Sequence, residues 1–222
     1  MTTLLLEIVN SVVATTLTGI GGALLSARGR QWSILLLAKL TGLGISHIYR
    51  QQRLANPHIP VELSRAQWVK VLAGRGNELT RDGFISLWTS PAKCPECVEV
   101  LLPNPQLGSD SWLCSREAEM RRVDPGIGPG LLAEQVRTNA SYLLHVARRR
   151  GNLALRFYDL PNMFRVIATD QVAYITIYRS VEHGRNSPCI VARKPGVLYD
   201  LALSLFSNAW SHAKVVADMK IL

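Results

Sequence analysis

Acidic residues are scarce in this chain and absent from a long N-terminal stretch. There are 16 Asp and Glu against 25 Lys and Arg in 222 residues, a formal net charge of +9. Between Glu7 and Glu62 no acid occurs, while Arg28, Arg30, Lys39, Arg50 and Arg53 are basic. Only 18% of residues are charged and 48% are hydrophobic. That balance excludes a disordered chain, which pairs low hydrophobicity with high net charge. Several catalytic signatures are also missing. The chain has no Walker Gly-Lys-Ser/Thr, no His-Glu-x-x-His and no Gly-x-Ser-x-Gly, so P-loop, zincin and serine-hydrolase chemistry have no sequence support.

What is present is a mean hydropathy of +0.12 in a strongly basic chain, and the apolar residues responsible cluster at the start. From Thr2 to Ala27 the strongly polar side chains are Glu7 and Asn10, and the stretch is long enough for a helix to cross a ~30 Å hydrocarbon layer. A cleaved signal peptide fits poorly, because Arg28 and Arg30 follow the apolar core instead of preceding it. A transmembrane helix with these arginines on the cytoplasmic side fits the positive-inside bias. A buried helix of a soluble assembly is the alternative that Glu7 and Asn10 keep open.

A second apolar run, Trp32 to Tyr49, reads either as a second crossing or as an amphipathic helix at the interface. Lys39 disfavours the crossing, at a cost of about 3 kcal/mol for a centred Lys. Trp32 and Tyr49 are of the types found at headgroup level. Gly19 and Ala23, in small-xxx-small spacing, permit close helix pairing in lipid. A helix-turn-helix reading of Leu37 to Arg50 is weakened by Leu43 and Gly44, which lengthen the turn. Residues 1–55 are therefore expected to form a membrane-associated helical segment, and 56–222 an α/β domain.

In that domain Pro57 and Pro60 bracket a linker, and Ser64 with Gln67 forms a capping box predicting a helix over Arg65 to Leu72. Gly74-Arg75-Gly76-Asn77 reads as a turn before a helix over Leu79 to Trp88. Val98 to Leu102 is a buried strand, and a helix runs from Leu131 to about Arg149, stopped by Gly151. Arg148, Arg149 and Arg150 complement that helix's dipole. Leu153 to Tyr158, Phe164 to Thr169, Val172 to Tyr178 and Pro188 to Ala192 read as strands, and Val197 to Ala217 as the last helix. Strands and helices alternate, which favours α/β over a sandwich.

The segments Glu99 to Pro105, the helix holding Arg116 and Glu117, Arg156 to Ser180, the Ser187-Pro188 step, and Tyr199, Phe206, Trp210 and Ala213 together resemble a degenerate phospholipase D-like domain. The resemblance covers about residues 44 to 214, with Gly44 to Tyr49 similar to the linker that joins membrane helices to such a domain. It implies the company of bacterial signalling, regulatory and defence proteins, some of them membrane-anchored. Phospholipase D chemistry needs His-x-Lys-x4-Asp; the His-x-Lys here is His212-Ala213-Lys214, with Asp218 one residue too early. The resemblance therefore implies the fold without the activity.

Cys94 and Cys97 have metal-ligand spacing, with Cys114, Cys189 and His183 as candidate completing ligands, but one Cys-x-x-Cys without a second is weak evidence; reduced buried cysteines are expected, with structural zinc and a redox pair as the alternatives. No cofactor is otherwise indicated. The candidate ligand-binding residues are Arg156, Asp159, Arg165, Asp170, Tyr178, Arg179, His183 and Arg185, a set whose arginines suit a nucleotide or other phosphorylated ligand. Strand alternation points Arg165 and Ile167 the same way. The expected function is a membrane-anchored, non-catalytic sensor or effector at the bacterial inner membrane, its C-terminal domain cytoplasmic, with a defence role implied by the resemblance alone. Its partners would be the lipid bilayer, contacted by Arg28, Arg30, Trp32, Lys39 and Tyr49, and a partner protein or second copy. The alternative is a soluble nucleic-acid-associated subunit whose N-terminal helix packs on a partner.

Overall fold

The computed structural model describes residues 26–89, 95–106, 108, 110–161, 163–179 and 183–216, with Ser11, Thr15 and Gly22 as isolated positions. The chain divides into two units, Met1–Leu43 and Gly44–Leu222. Apart from the isolated positions and its last two residues, the Thr2 to Ala27 run lies outside the described residues, and so do Gly19 and Ala23. Among the described residues no helix is long and apolar enough to cross a membrane.

In the first unit, helix α1 spans Ala27–Leu40, opened by Ser26, whose hydroxyl accepts the Gly29 N–H at 2.9 Å. Arg28, Trp32 and Lys39 are exposed on it, while the Arg30 side chain lies outside the described residues. The helix does not continue to Tyr49. Gly42 and Gly44 take φ of +70° and +73°, in the left-handed region that side chains disfavour, and the chain turns. Ile45–Tyr49 is strand β1. This corrects both the second crossing and the helix-turn-helix reading, because the residues of the supposed second half are hydrogen-bonded to a sheet. It also removes Tyr49 from the membrane set, since its ring packs on the core and beside His47 at 4.2 Å. Residues 44–55 likewise join the α/β unit, which moves the boundary expected at 55/56.

The second unit is built on an eight-stranded mixed sheet in the order β1-β7-β6-β5-β2-β3-β4-β8. The strands are β2 (Trp68–Leu72), β3 (Cys97–Pro103), β4 (Leu153–Tyr158), β5 (Phe164–Thr169), β6 (Val172–Ile177), β7 (Cys189–Arg193) and β8 (Lys214–Val215). Strands β2, β3 and β4 are parallel and every other pairing is antiparallel. The helices are α2 (Ile59–Leu63), α3 (Ile85–Thr89), α4 (Trp112–Arg121), α5 (Leu131–Arg150) and α6 (Val197–His212).

Alternation along the strands sorts the core into two layers. Val69, Val71, Val98, Val100, Leu155 and Ile167 meet Leu132, Val136, Ala140 and Leu143 of α5 on one face. Leu72, Leu101, Tyr158, Val166 and Ala168 meet Tyr199, Ala202, Phe206 and Ala209 of α6 on the other. Both helices present apolar residues three or four apart, the spacing that makes one buried stripe.

Three sequence expectations are corrected. Residues 65–72 are not helical: Ser64 closes α2 instead of opening a helix, and Trp68-Val69-Lys70-Val71-Leu72 alternates and pairs centrally in the sheet. The helix expected over Leu79 to Trp88 is a turn, a 3-10 segment over Asp82–Phe84 and the short α3. The last helix stops at His212, and Lys214 lies in β8, so His212 and Lys214 sit on different elements.

Candidate functional site

A cleft of about 500 Å³ opens beyond the C-terminal end of β2 on the α5 side of the sheet. This is where open α/β sheets place ligands, because the loops that leave parallel strands diverge there. Its floor is apolar, with Val71, Ala73, Leu79, Phe84, Leu113 and Ile167, and its walls carry Arg53, Arg75, Arg81, Arg116, Arg165 and Arg185 against two carboxylates, Glu78 and Asp124.

The loop after β2 supplies much of one wall. Ala73 is held on both sides, its N–H donating to Leu101 O at 3.0 Å and its carbonyl accepting from Tyr158 Oη at 3.1 Å. Gly76 has φ +79°, and a Cβ there would lie 2.9 Å from Leu102 Cδ2, so the loop needs glycine to pass this close to β3. Asn139 of α5 then pins the loop, donating to Arg75 O at 2.9 Å and Asn77 Oδ1 at 2.6 Å. Gln135 Oε1 accepts from Arg75 Nη1 at 3.1 Å and Asn77 Nδ2 at 3.3 Å. Helix α5 is itself fixed to α4, because the Glu117 carboxylate accepts the N–H groups of Gly130 at 2.7 Å and Leu132 at 2.9 Å.

Arg165 is the deepest of the arginines, 6% exposed. It ion-pairs with Glu78 and lies 3.4 Å from Thr176 Oγ1 through Nη2. Burial pulls its proton affinity down, but the adjacent Glu78 carboxylate outweighs that and raises it above the usual range. The Arg165 Nε proton has no partner among the described residues, and the same holds for Gln52 Oε1, another buried atom of the cleft lining. Arg75 is shifted the other way: burial lowers it, and the like charges of Arg116 and Arg185 lower it further against the opposing pull of Tyr178 and Glu78. Tyr178 is pushed up by burial, with Arg165 opposing. His183 Nε2 stands 3.2 Å from Asp124 Oδ2 at the rim.

Of the eight ligand residues expected from sequence, the cleft gathers Arg165, Tyr178, His183 and Arg185, and Ile167 joins Arg165 on the same face. The other four lie elsewhere. Arg156 is on the opposite face, donating to Trp210 O at 2.9 Å and lying 4.4 Å from that indole's centroid. Asp170 sits in the β5–β6 turn, where its carboxylate accepts the Gln67 N–H at 2.8 Å. Asp159 is exposed on the loop after β4, outside the cleft lining. Arg179 is exposed outside the lining too, and its carbonyl accepts from Arg116 at 3.2 Å. Sequence reasoning missed Gln52, Arg75, Glu78, Arg116 and Asp124. The signal is Gly74-Arg75-Gly76-Asn77, a glycine-rich loop directly after a strand, which a helical reading of residues 65–72 hides.

Cys94 lies outside the described residues. Cys97, Cys114 and Cys189 are free thiols on three separate elements, and Cys189 is fully buried in the core, its thiol pushed up by burial. Among the described residues no group of three His, Cys, Asp or Glu side chains is arranged to hold a metal ion.

No protein-family model matches the chain, and no curated protein matches it. Among solved structures it is similar to TrmBL2, an archaeal chromatin protein that shows a novel mode of DNA binding, at TM-score 0.47 and 14% identity over 94% of this chain and 70% of that one. It is also similar to NucT from Helicobacter pylori, at TM-score 0.46 and 10% identity over 76% of this chain and 97% of that one. Neither likeness assigns an activity or a partner to this chain.

Proposed function

We propose that Gly44–Leu222 is a non-catalytic recognition module for a phosphate-bearing ligand, carried by a protein whose N-terminal segment works at a membrane surface. The observation that carries this reading is the convergence of Arg75, Arg116 and Arg185 near buried Arg165 in one cleft. Burial is the main reason the proton affinity of Arg75 is lowered, and the like charges of Arg116 and Arg185 add to it; a phosphate relieves that repulsion while accepting forked hydrogen bonds. The likeness to phospholipase D-like domains is kept as part of this proposal, in a form that binds phosphate without cleaving its ester.

The membrane side of the proposal rests on α1. Trp32, Leu36 and Leu40, four residues apart and 75%, 61% and 77% exposed, make an apolar stripe with Arg28 and Lys39 also exposed on the helix. Helices of this type bind anionic interfaces.

Calorimetric titration of the full-length chain with inorganic phosphate tests the cleft. Binding is expected, weakened about tenfold by Arg185→Ala through loss of one charge-assisted contact; no binding at millimolar phosphate refutes the module. Flotation with anionic vesicles tests the membrane side. Failure to float would transfer the N-terminal segment to a partner protein and the positive charge to nucleic acid.

A further inference from the structure

Two buried side-chain atoms in the described structure have no hydrogen-bond partner, and both belong to residues that line the arginine cleft. They are of opposite kinds. Arg165 Nε is a donor, and Gln52 Oε1 is an acceptor. Unpaired buried polar atoms are uncommon in folded proteins because each forfeits its hydration without return. Two in one cleft, of complementary type, point to a ligand that supplies both missing partners.

Gln52 is held with its side-chain oxygen unpartnered. Its backbone N–H donates to Ser187 O at 2.8 Å, and its side-chain amide donates to Asn56 Oδ1 at 2.6 Å. The residue is 0% exposed and belongs to a 3-10 turn over Gln52–Ala55 whose Ala55 is also in the core. A phosphate oxygen cannot satisfy Oε1, since two acceptors repel. The group that reaches it must carry an N–H or O–H. The cleft is also lined by Phe84, Trp112 and Tyr178 as well as aliphatic side chains, a surface suited to a flat, partly apolar ring.

We infer that the ligand of this cleft is a nucleoside phosphate, with the phosphate on Arg165 and its neighbouring arginines and an N–H of the base presented to Gln52. This rests on the phosphate-binding reading above and narrows it. A sugar phosphate lacks the apolar ring, and an acyl phosphate lacks the N–H donor. A free nucleotide and the phosphorylated end of a nucleic-acid strand share the required chemistry.

The test is calorimetry on the full-length chain with inorganic phosphate, ribose 5-phosphate, AMP, CMP, GMP, a 5′-phosphorylated oligoadenylate and a phosphoserine peptide. At least one nucleotide or the oligonucleotide is expected to bind roughly tenfold or more tighter than ribose 5-phosphate, the worth of one satisfied buried hydrogen bond. Gln52→Leu should abolish that advantage. Whichever of the free nucleotide and the oligonucleotide binds tighter identifies the source, and either upholds the inference. It is overturned if no base-bearing probe exceeds ribose 5-phosphate, if the phosphoserine peptide binds tightest, or if Gln52→Leu keeps the full advantage. Should Gln52→Leu fail to fold, the wild-type ranking of probes decides alone. If inorganic phosphate and ribose 5-phosphate bind while the bases add nothing, this inference fails and the phosphate reading stands; if no phosphate compound binds, the phosphate reading fails first.

Discussion

The two faces of the sheet use charge differently. Under α6, Lys70 pairs with Glu99 and lies 5.1 Å from the Phe206 centroid, and Arg156 is satisfied by the Trp210 carbonyl and ring. These cations are tucked beneath a helix whose residues complete them. On the α5 side, at the end of β2, six arginines line a cleft with two carboxylates in its lining, Arg116 pairs with Glu119 at 2.9 Å, and a buried guanidinium keeps one unpartnered N–H. The fold answers cations on both faces, but on the α5 side it leaves Arg165 Nε without a partner among the described residues. The contrast separates residues of one chemical type that composition alone treats alike.

Variants on the two faces should therefore diverge. The largest effect is expected from Phe206→Ala, which opens a cavity under α6 and should cost about 4 kcal/mol in urea unfolding without changing phosphate affinity in conditions where the variant is folded. A parallel loss of affinity would show that the faces are coupled. Arg165→Ala should cost about 3 kcal/mol by removing the partner of Glu78, and unlike Phe206→Ala it should also abolish phosphate binding.

Arg75→Ala is expected to leave the unfolding midpoint nearly unchanged and to weaken phosphate about tenfold; the reverse pattern would make Arg75 a structural residue. Arg156→Ala should do the opposite, losing about 1 kcal/mol of stability with phosphate affinity intact.

The smallest effect is one of pH. Tyr199, whose hydroxyl donates to Thr169 O at 2.7 Å under α6, is pushed by burial up to about 12, and Tyr178 in the cleft is raised as well. A raised tyrosine is neutral in the folded state while its unfolded counterpart ionises near pH 10, so the stability it contributes is complete below that pH and is lost as pH rises towards the folded value. Urea midpoints should fall between pH 10 and 12, and Tyr199→Phe should flatten that fall.

Much of the fold could be read from the chain because its signals are local. Helix α5 ends at Gly151 with Arg148, Arg149 and Arg150 in its last turn, as expected. Strands β3 to β7 were found to within a residue or two by apolar runs between turn residues. Strand β2 was not, because Ser64 and Gln67 have the spacing of a capping box and Trp68 to Leu72 is too short for period alone to decide. What decides it is pairing, with β3 on one side and β5 on the other. The error carried into the site, since the loop after β2 cannot be recognised as a binding loop until β2 is a strand.

By itself, then, the sequence determined the apolar terminus with no acid between Glu7 and Glu62, the alternating α/β plan and the presence of Arg165 on an inward-facing strand position, all properties of neighbouring residues along the chain. Only the tertiary structure decided that Tyr49 belongs to a sheet, that Arg156 is a packing residue, and that Gln52, Arg75, Arg116 and Arg185 share a cleft with Arg165. These depend on contacts between segments up to more than a hundred residues apart, where closing the chain into one sheet, and not local propensity, selects which side chains meet.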